Sequence, residues 1–101
     1  MVRRLVVPEE LGAVEVRLLH WYKNEGDAVA EQEALLEFET DKAIVLVTAT
    51  HGGVVRKCFC GAGDWLKPGD VAAWVSDSAD EALPSDRSAP LEALPAGFEQ
   101  T

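Results

Sequence analysis

Sulfur is scarce in this chain: 101 residues hold two cysteines and a single methionine, Met1. Two thiols cannot staple a small domain, and alternate strand residues such as Cys58 and Cys60 diverge from disulfide geometry. A reducing, cytoplasmic setting is therefore expected. The pair reads as two small apolar residues of a strand, or as a redox or metal pair with His51 as a third ligand. Positive charge is scarce too. Nine Lys and Arg stand against 18 Asp and Glu, for a formal charge of −9. Such a surface repels phosphate backbones and anionic lipid, so neither nucleic acid nor membrane is an expected partner. No apolar run approaches the ~20 residues of a membrane helix. The residues before Pro8 lack the long apolar stretch and small-residue cleavage site of a secretory leader, and none is expected. His20 and His51 are the only histidines, and neither joins a nucleophile–base–acid set, so no catalytic residue is assigned.

What remains is room for one small all-β domain. Hydrophobic residues make up 48% of the chain, ordinary for a folded protein. Short runs of Val, Leu, Ile, Thr and aromatics alternate with Gly-Asp, Asn and Pro-Gly turns over residues 1–78. They predict strands at Arg3–Val7, Val14–Tyr22, Ala28–Val29, Ala34–Glu39, Ile44–Thr48, Gly53–Cys60, Trp65–Leu66 and Val71–Val75. Loops of a few residues imply antiparallel pairing. Residues 79–101 hold three prolines and five acids with no sustained period, which predicts a linker or disordered tail spanning about 27 Å as a flexible coil. Its Leu91, Leu94 and Phe98 read as incidental apolar residues or as a short binding segment.

A repeat at an offset of 37 organises the domain. Gly26-Asp27-Ala28-Val29 returns as Gly63-Asp64-Trp65-Leu66. Glu33 then matches Asp70, Leu35 matches Ala72 and Phe38 matches Val75. Two such halves suit a flattened barrel-sandwich of two four-stranded antiparallel sheets about a pseudo-two-fold axis. Trp21, Trp65 and Trp74 are expected in its core, and Gly26, Gly63 and Gly69 are expected as turn formers. Between the halves, Thr40-Asp41-Lys42-Ala43 predicts a tight hairpin with Asp41-Lys42 at the tip. The tip and the chain termini should lie at opposite ends. A turn lysine in an arbitrary β-protein is merely solvated, so its position alone assigns no function.

The stretch Glu39-Thr40-Asp41-Lys42-Ala43 resembles the lipoylation site of lipoyl domains, members of the biotinyl/lipoyl attachment family found in acyltransferase components of 2-oxo acid dehydrogenase complexes. Val7-Pro8 with Leu11-Gly12, Val14-Glu15-Val16, Trp21-Tyr22-Lys23, Leu35-Leu36-Glu37-Phe38 and Gly52-Gly53-Val54-Val55 extend the resemblance over residues 2–76, together with the Gly-Asp turns. Thr48-Ala49-Thr50-His51 and Cys58-Phe59-Cys60 depart from it.

The resemblance implies lipoate in amide linkage to Lys42, within a recognition hairpin of Glu39, Thr40, Asp41 and Ala43. The amide would take the formal charge to −10. It implies a non-catalytic carrier whose swinging arm ends in a dithiolane. The implied partners are a lipoate ligase or octanoyl transferase, a thiamin-diphosphate-dependent decarboxylase, an acyltransferase core using coenzyme A, and an FAD-dependent dihydrolipoyl dehydrogenase. The isolated domain is expected to be a monomer. Alternatives are a glycine-cleavage-type lipoyl carrier, an unmodified β-sandwich interaction module, and a biotin carrier, whose lysine is flanked by methionines. The loop Glu9–Ala13 is a candidate determinant of which 2-oxo acid is served.

Overall fold

The computed structural model describes residues 1–9, 14–86 and 88–100. Leu11, Gly12 and most of the Glu9–Ala13 loop lie outside the described residues. Ten strands run in the order β1 (Val2–Val6), β2 (Val16–Trp21), β3 (Ala28–Val29), β4 (Ala34–Glu39), β5 (Ile44–Ala49), β6 (Gly53–Cys58), β7 (Trp65–Leu66), β8 (Val71–Ser76), β9 (Glu92–Ala93) and β10 (Ala96–Gln100). There is no α-helix among the described residues. Sheet one has the order β3-β6-β8-β1-β9 and sheet two β10-β5-β4-β2-β7.

Reading sheet two backwards maps one sheet onto the other, β3 onto β7, β6 onto β2, β8 onto β4, β1 onto β5 and β9 onto β10. The repeat thus becomes a pseudo-two-fold axis, and its turns show the same chemistry twice. The Asp27 carboxylate accepts the Asn24 N–H at 2.8 Å, and Asp64 accepts that of Gly61 at 2.8 Å. Glu33 accepts the Ala30 N–H at 2.7 Å, and Asp70 accepts that of Lys67 at 2.8 Å. A carboxylate three residues ahead mimics a backbone turn acceptor, which is why acids recur there. Gly26 and Gly63 hold φ near 93° and 94°, open to glycine without a Cβ clash. The counterpart of Gly69, at φ 92°, is Gln32, which holds φ 70°.

Most strands send one side inward, while β8 is buried on both, from Ala72 through Ser76. Leu18, Leu35, Leu36, Phe38, Val45, Val47 and Val55 are fully buried between the sheets. Each such aliphatic or aromatic side chain contributes about 1.5–3 kcal/mol by leaving water.

Two expectations are corrected. Each sheet has five strands, not four, because the tail supplies β9 and β10. β9 pairs parallel with β1, the exception to antiparallel pairing, and β10 pairs antiparallel with β5. Unpaired edge groups of β1 and β5 reward any segment that bonds to them. Leu94 N–H donates to Arg4 O at 2.7 Å, and Leu94 and Ala96 pack against the core, whereas Phe98 stays exposed. Gly97 permits the approach, since a Cβ there would stand 2.6 Å from Thr48 Oγ1. The second correction is Trp65, which is 61% exposed and not core. Trp74 is 3% exposed, and Trp21 is half-buried with its Nε1 donating to Cys60 O at 2.9 Å. Two strands are also shorter than expected: β2 begins at Val16 with Val14 exposed, and β6 ends at Cys58.

Candidate functional site

β4 and β5 are neighbours in sheet two, registered up to Glu39 opposite Ile44. Thr40, Asp41, Lys42 and Ala43 close the hairpin between them. The Thr40 N–H donates to Ala43 O at 2.8 Å. The Thr40 hydroxyl does more. Its Oγ1 accepts the N–H of Lys42 at 3.2 Å and of Ala43 at 3.0 Å, and it lies 3.1 Å from Ala43 O, to which it donates. A threonine at the first loop position therefore fixes the backbone on which Lys42 stands. Thr40 and Ala43 are half-buried, while Glu39, Asp41 and Lys42 are exposed.

Among the described residues, no carboxylate lies within ion-pair distance of Lys42 Nζ. The other lysines sit differently. Lys23 is half-buried and paired with Glu33 at 3.1 Å. Lys57 lies on β6, and Lys67 in the Asp70 turn. Lys42 alone of the four lysines tips a hairpin between adjacent strands of one sheet.

The pseudo-two-fold fixes where this hairpin points. Glu39 opposite Ile44 in sheet two corresponds to Ser76 opposite Val2 in sheet one. The hairpin therefore lies across the axis from the N-terminus, where the Met1 amine meets Asp77 and Glu81. The sulfur and histidine candidates lie elsewhere. Cys58 and Cys60 are half-buried cysteines, the Cys60 Sγ donating to Ala72 O at 3.8 Å, and burial, with Glu25 nearby, pushes the Cys58 thiol up to about 11. No group of three His, Cys, Asp or Glu among the described residues could hold a metal ion. His20 stacks edge-on against Tyr22 with centroids 4.6 Å apart, and His51 is exposed in the loop after β5.

The hairpin can hold an amine in solvent on a rigid support, with only an alanine after it. Sequence reading missed the Thr40 clamp. Its signal was a hydroxyl residue opening a tight turn, a pattern that competes for backbone amides.

Comparison with known proteins agrees with this geometry. The biotin/lipoyl family model, described as "Biotin-requiring enzyme", matches residues 5–74. The succinyltransferase component of the 2-oxoglutarate dehydrogenase complex of Bacillus subtilis is 37% identical over 87 residues, 85% of this chain and 20% of that protein. The lipoamide acyltransferase component of the mitochondrial branched-chain alpha-keto acid dehydrogenase complex of Arabidopsis thaliana is 38% identical over 79 residues, 76% of this chain and 16% of that protein. The chain thus spans about a fifth of the length of these curated relatives. The solution structure of the lipoyl domain of the Azotobacter vinelandii 2-oxoglutarate dehydrogenase complex superposes with a TM-score of 0.61 at 26% identity, over 71% of this chain and 89% of that one. The chain belongs to the biotinyl/lipoyl attachment domain family, as a lipoyl domain similar to those of 2-oxo acid dehydrogenase acyltransferase components.

Proposed function

We propose that Lys42 carries lipoate in amide linkage and that the domain works as a non-catalytic acyl carrier in a 2-oxo acid dehydrogenase complex. The observation that carries this reading is the placement of Lys42. It is exposed, without an ion-pair partner among the described residues, at the tip of a clamped hairpin. Modification needs Nζ to lose a proton to the modifying enzyme and to attack an activated lipoyl carboxyl, whose bond to the activating group breaks as that group leaves. A solvated amine meets that need without breaking any internal contact. The residues present fit the group, since Asp41 and Ala43 leave the tip open on both sides of Lys42. Bound lipoate supplies a cyclic disulfide that takes up an acyl group together with electrons and is later reoxidised.

The chain's own part is presentation. Thr40 holds the tip's backbone, so the arm swings from a fixed point. Asp41 and Glu39 put negative charge beside that point, which favours basic surfaces on visiting enzymes. Those visitors are a lipoate ligase or octanoyl transferase, a thiamin-diphosphate-dependent decarboxylase, the acyltransferase core with coenzyme A as acceptor, and an FAD-dependent dihydrolipoyl dehydrogenase. Two cysteines, too few for a disulfide framework, favour a reducing, cytoplasmic setting. Lipoate is favoured over biotin because Met1, the sole methionine, sits beside Asp77, across the axis from the hairpin.

Incubation with lipoate, ATP and a lipoate ligase tests the reading. Intact mass should rise by one lipoyl group, and Lys42→Arg should show no increment. A rise in the arginine variant, or none in the wild type, refutes it.

A further inference from the structure

Two outward positions differ between the symmetry-related strands β4 and β8. The offset of 37 aligns Glu37 with Trp74 and Glu39 with Ser76. On β4, Glu37 is half-buried and accepts the Tyr22 hydroxyl at 2.7 Å, and Glu39 is exposed. On β8, Trp74 and Ser76 are 3% and 1% exposed, yet Trp74 stands outside the core cluster that takes in Ala73 and Val75. The tail is what covers them. Trp74 lines a cavity with Lys57, Phe59, Pro84, Ser85 and Asp86. The Arg56 guanidinium donates to Ser76 Oγ at 3.2 Å, and also to Ser78 O at 3.3 Å and Glu81 O at 2.9 Å. An indole and a hydroxyl in place of two carboxylates suit a covered face, since a carboxylate there would lose its water.

The hold continues along the tail, described over residues 77–86 and 88–100. Arg3 Nη1 donates to Asp77 Oδ1 at 3.0 Å, and Arg4 Nε donates to Leu91 O at 2.7 Å. The Leu94 N–H then bonds to Arg4 O, and β10 pairs with β5 from Ala96 opposite Ala49 to Gln100 opposite Val45. The tail therefore starts on the outer face of sheet one, follows the edge of β1 and ends on sheet two. Its last pairing is one residue short of Ile44, which faces Glu39 at the base of the lysine hairpin. Each piece is small: β9 is two exposed residues, and Leu94 and Ala96 are half-buried. Joined on one chain they reinforce one another, because docking one piece raises the local concentration of the next. Pro84, Pro90 and Pro95 lie between the anchors and limit the freedom lost on closing.

We infer that the tail is a releasable strap, which opens and closes as one unit and so couples the outer face of sheet one to the lysine hairpin of sheet two. Closed, β10 makes β5 an inner strand, and both strands that carry the hairpin have a neighbour on either side. Open, β5 becomes an edge strand, and the hairpin loses support on that side. Trp74 and Arg56 are uncovered in the same event. Opening of this kind needs less free energy than unfolding the domain, because the core between the sheets stays closed. A ligand that takes up Arg56 or Trp74 thus loosens the support of Lys42 from the opposite sheet, and the coupling is reciprocal. The strap needs no lipoate to close, so its test is independent of the carrier reading.

The test uses the full, unmodified chain with one variant at each end of the strap. Arg56→Gln weakens the start. Gly97→Val weakens the end, because a Cβ at residue 97 would stand 2.6 Å from Thr48 Oγ1. Amide hydrogen exchange read by NMR follows β10, Lys42 and Ala43. Leu18 and Tyr22, whose amides bond to Asp64 O and Leu35 O at 2.9 and 2.8 Å, serve as controls within the domain. Hydroxyl-radical oxidation located by mass spectrometry follows Trp74. Arg56→Gln should speed exchange in β10 by about tenfold, the weight of one charge-assisted hydrogen bond, and at Lys42 and Ala43 several-fold, although its bonds are to Ser76, Ser78 and Glu81. Gly97→Val should make Trp74 oxidise several-fold faster. Leu18 and Tyr22 should exchange as in wild type in both variants. Faster exchange confined to residues 76–81 in Arg56→Gln, or an unchanged Trp74 in Gly97→Val, overturns the single unit. A freed β10 beside an unchanged hairpin overturns the coupling. Faster exchange at Leu18 and Tyr22 as well means that the strap opens only when the domain unfolds, which overturns its release.

Discussion

Thr40→Val removes one oxygen from the hairpin and keeps the β-branched shape. The backbone bond from Thr40 N–H to Ala43 O, 2.8 Å, survives. Three contacts are lost: the amides of Lys42 at 3.2 Å and Ala43 at 3.0 Å, and the carbonyl of Ala43 at 3.1 Å. A hydrogen bond between protein groups is worth about 0.5–1.5 kcal/mol net, because water competes for the same groups. Lys42 is exposed, so its amide is hydrated at little cost; Ala43 is half-buried, so its groups lose more. The expected total is about 1–2 kcal/mol, or a fall in Tm of about 5–15 °C for a domain of this size. The effect on modification should exceed what that loss implies. At a temperature where both proteins are folded, the ligase should modify Thr40→Val more slowly, and Thr40→Ser, which keeps the oxygen, should recover the rate. Thermal denaturation followed by circular dichroism and intact-mass time courses read the two effects. A variant that loses stability but is modified at the wild-type rate would refute the idea that this clamp positions Lys42.

Other expectations follow from single contacts. Trp74→Ala should cost about 3–5 kcal/mol in urea denaturation, because its ring is 3% exposed, whereas Trp65→Ala at 61% exposure should cost under about 1 kcal/mol. The Ala30 amide and then the Lys23 ammonium hold the Glu33 carboxyl below its ordinary value of 4.5. A lowered carboxyl stabilises the fold above its ordinary value and loses that contribution as pH falls through the lowered one. The urea midpoint of wild type should therefore drop on acidification below about pH 4.5, and Glu33→Gln should drop less. Burial pushes the Cys58 thiol up to about 11, so alkylation monitored by mass should be slow at pH 8 and rise steeply toward pH 11. Rapid reaction of Cys58 at pH 8 would show that the thiol is not held neutral.

The parts of the fold legible in the sequence were those set by local chemistry. Short apolar runs bounded by turn residues placed β4 and β8 to within a residue. The Gly-Asp turns were readable because a carboxylate three residues ahead and a positive φ leave a composition signature. Trp65 was misplaced because size suggested burial. The repeat held the corrective signal: Trp65 aligns with Ala28 and Leu66 with Val29, and only one residue of each two-residue strand can face inward. The aliphatic partner, present in both copies, is the inward one. The tail strands left no local signature. Glu92–Ala93 and Ala96–Gln100 are extended because the edges of β1 and β5 offer unpaired backbone groups. That is a tertiary fact, and three prolines in an acidic segment point the other way. The site divides along the same line. The hairpin and the place of Lys42 at its tip were readable from strand spacing, but the role of Lys42 came only from the resemblance, and the Thr40 clamp depends on side-chain geometry.

Lipoate attachment at Lys42 is most directly examined by purifying the chain from cells able to make lipoate and mapping its peptides by mass spectrometry. The account predicts a single lipoyl group, on the peptide containing Lys42 and on that side chain. A lipoyl group on Lys23, Lys57 or Lys67, a biotinyl group on Lys42, or an unmodified Lys42 in lipoate-replete cells would contradict it.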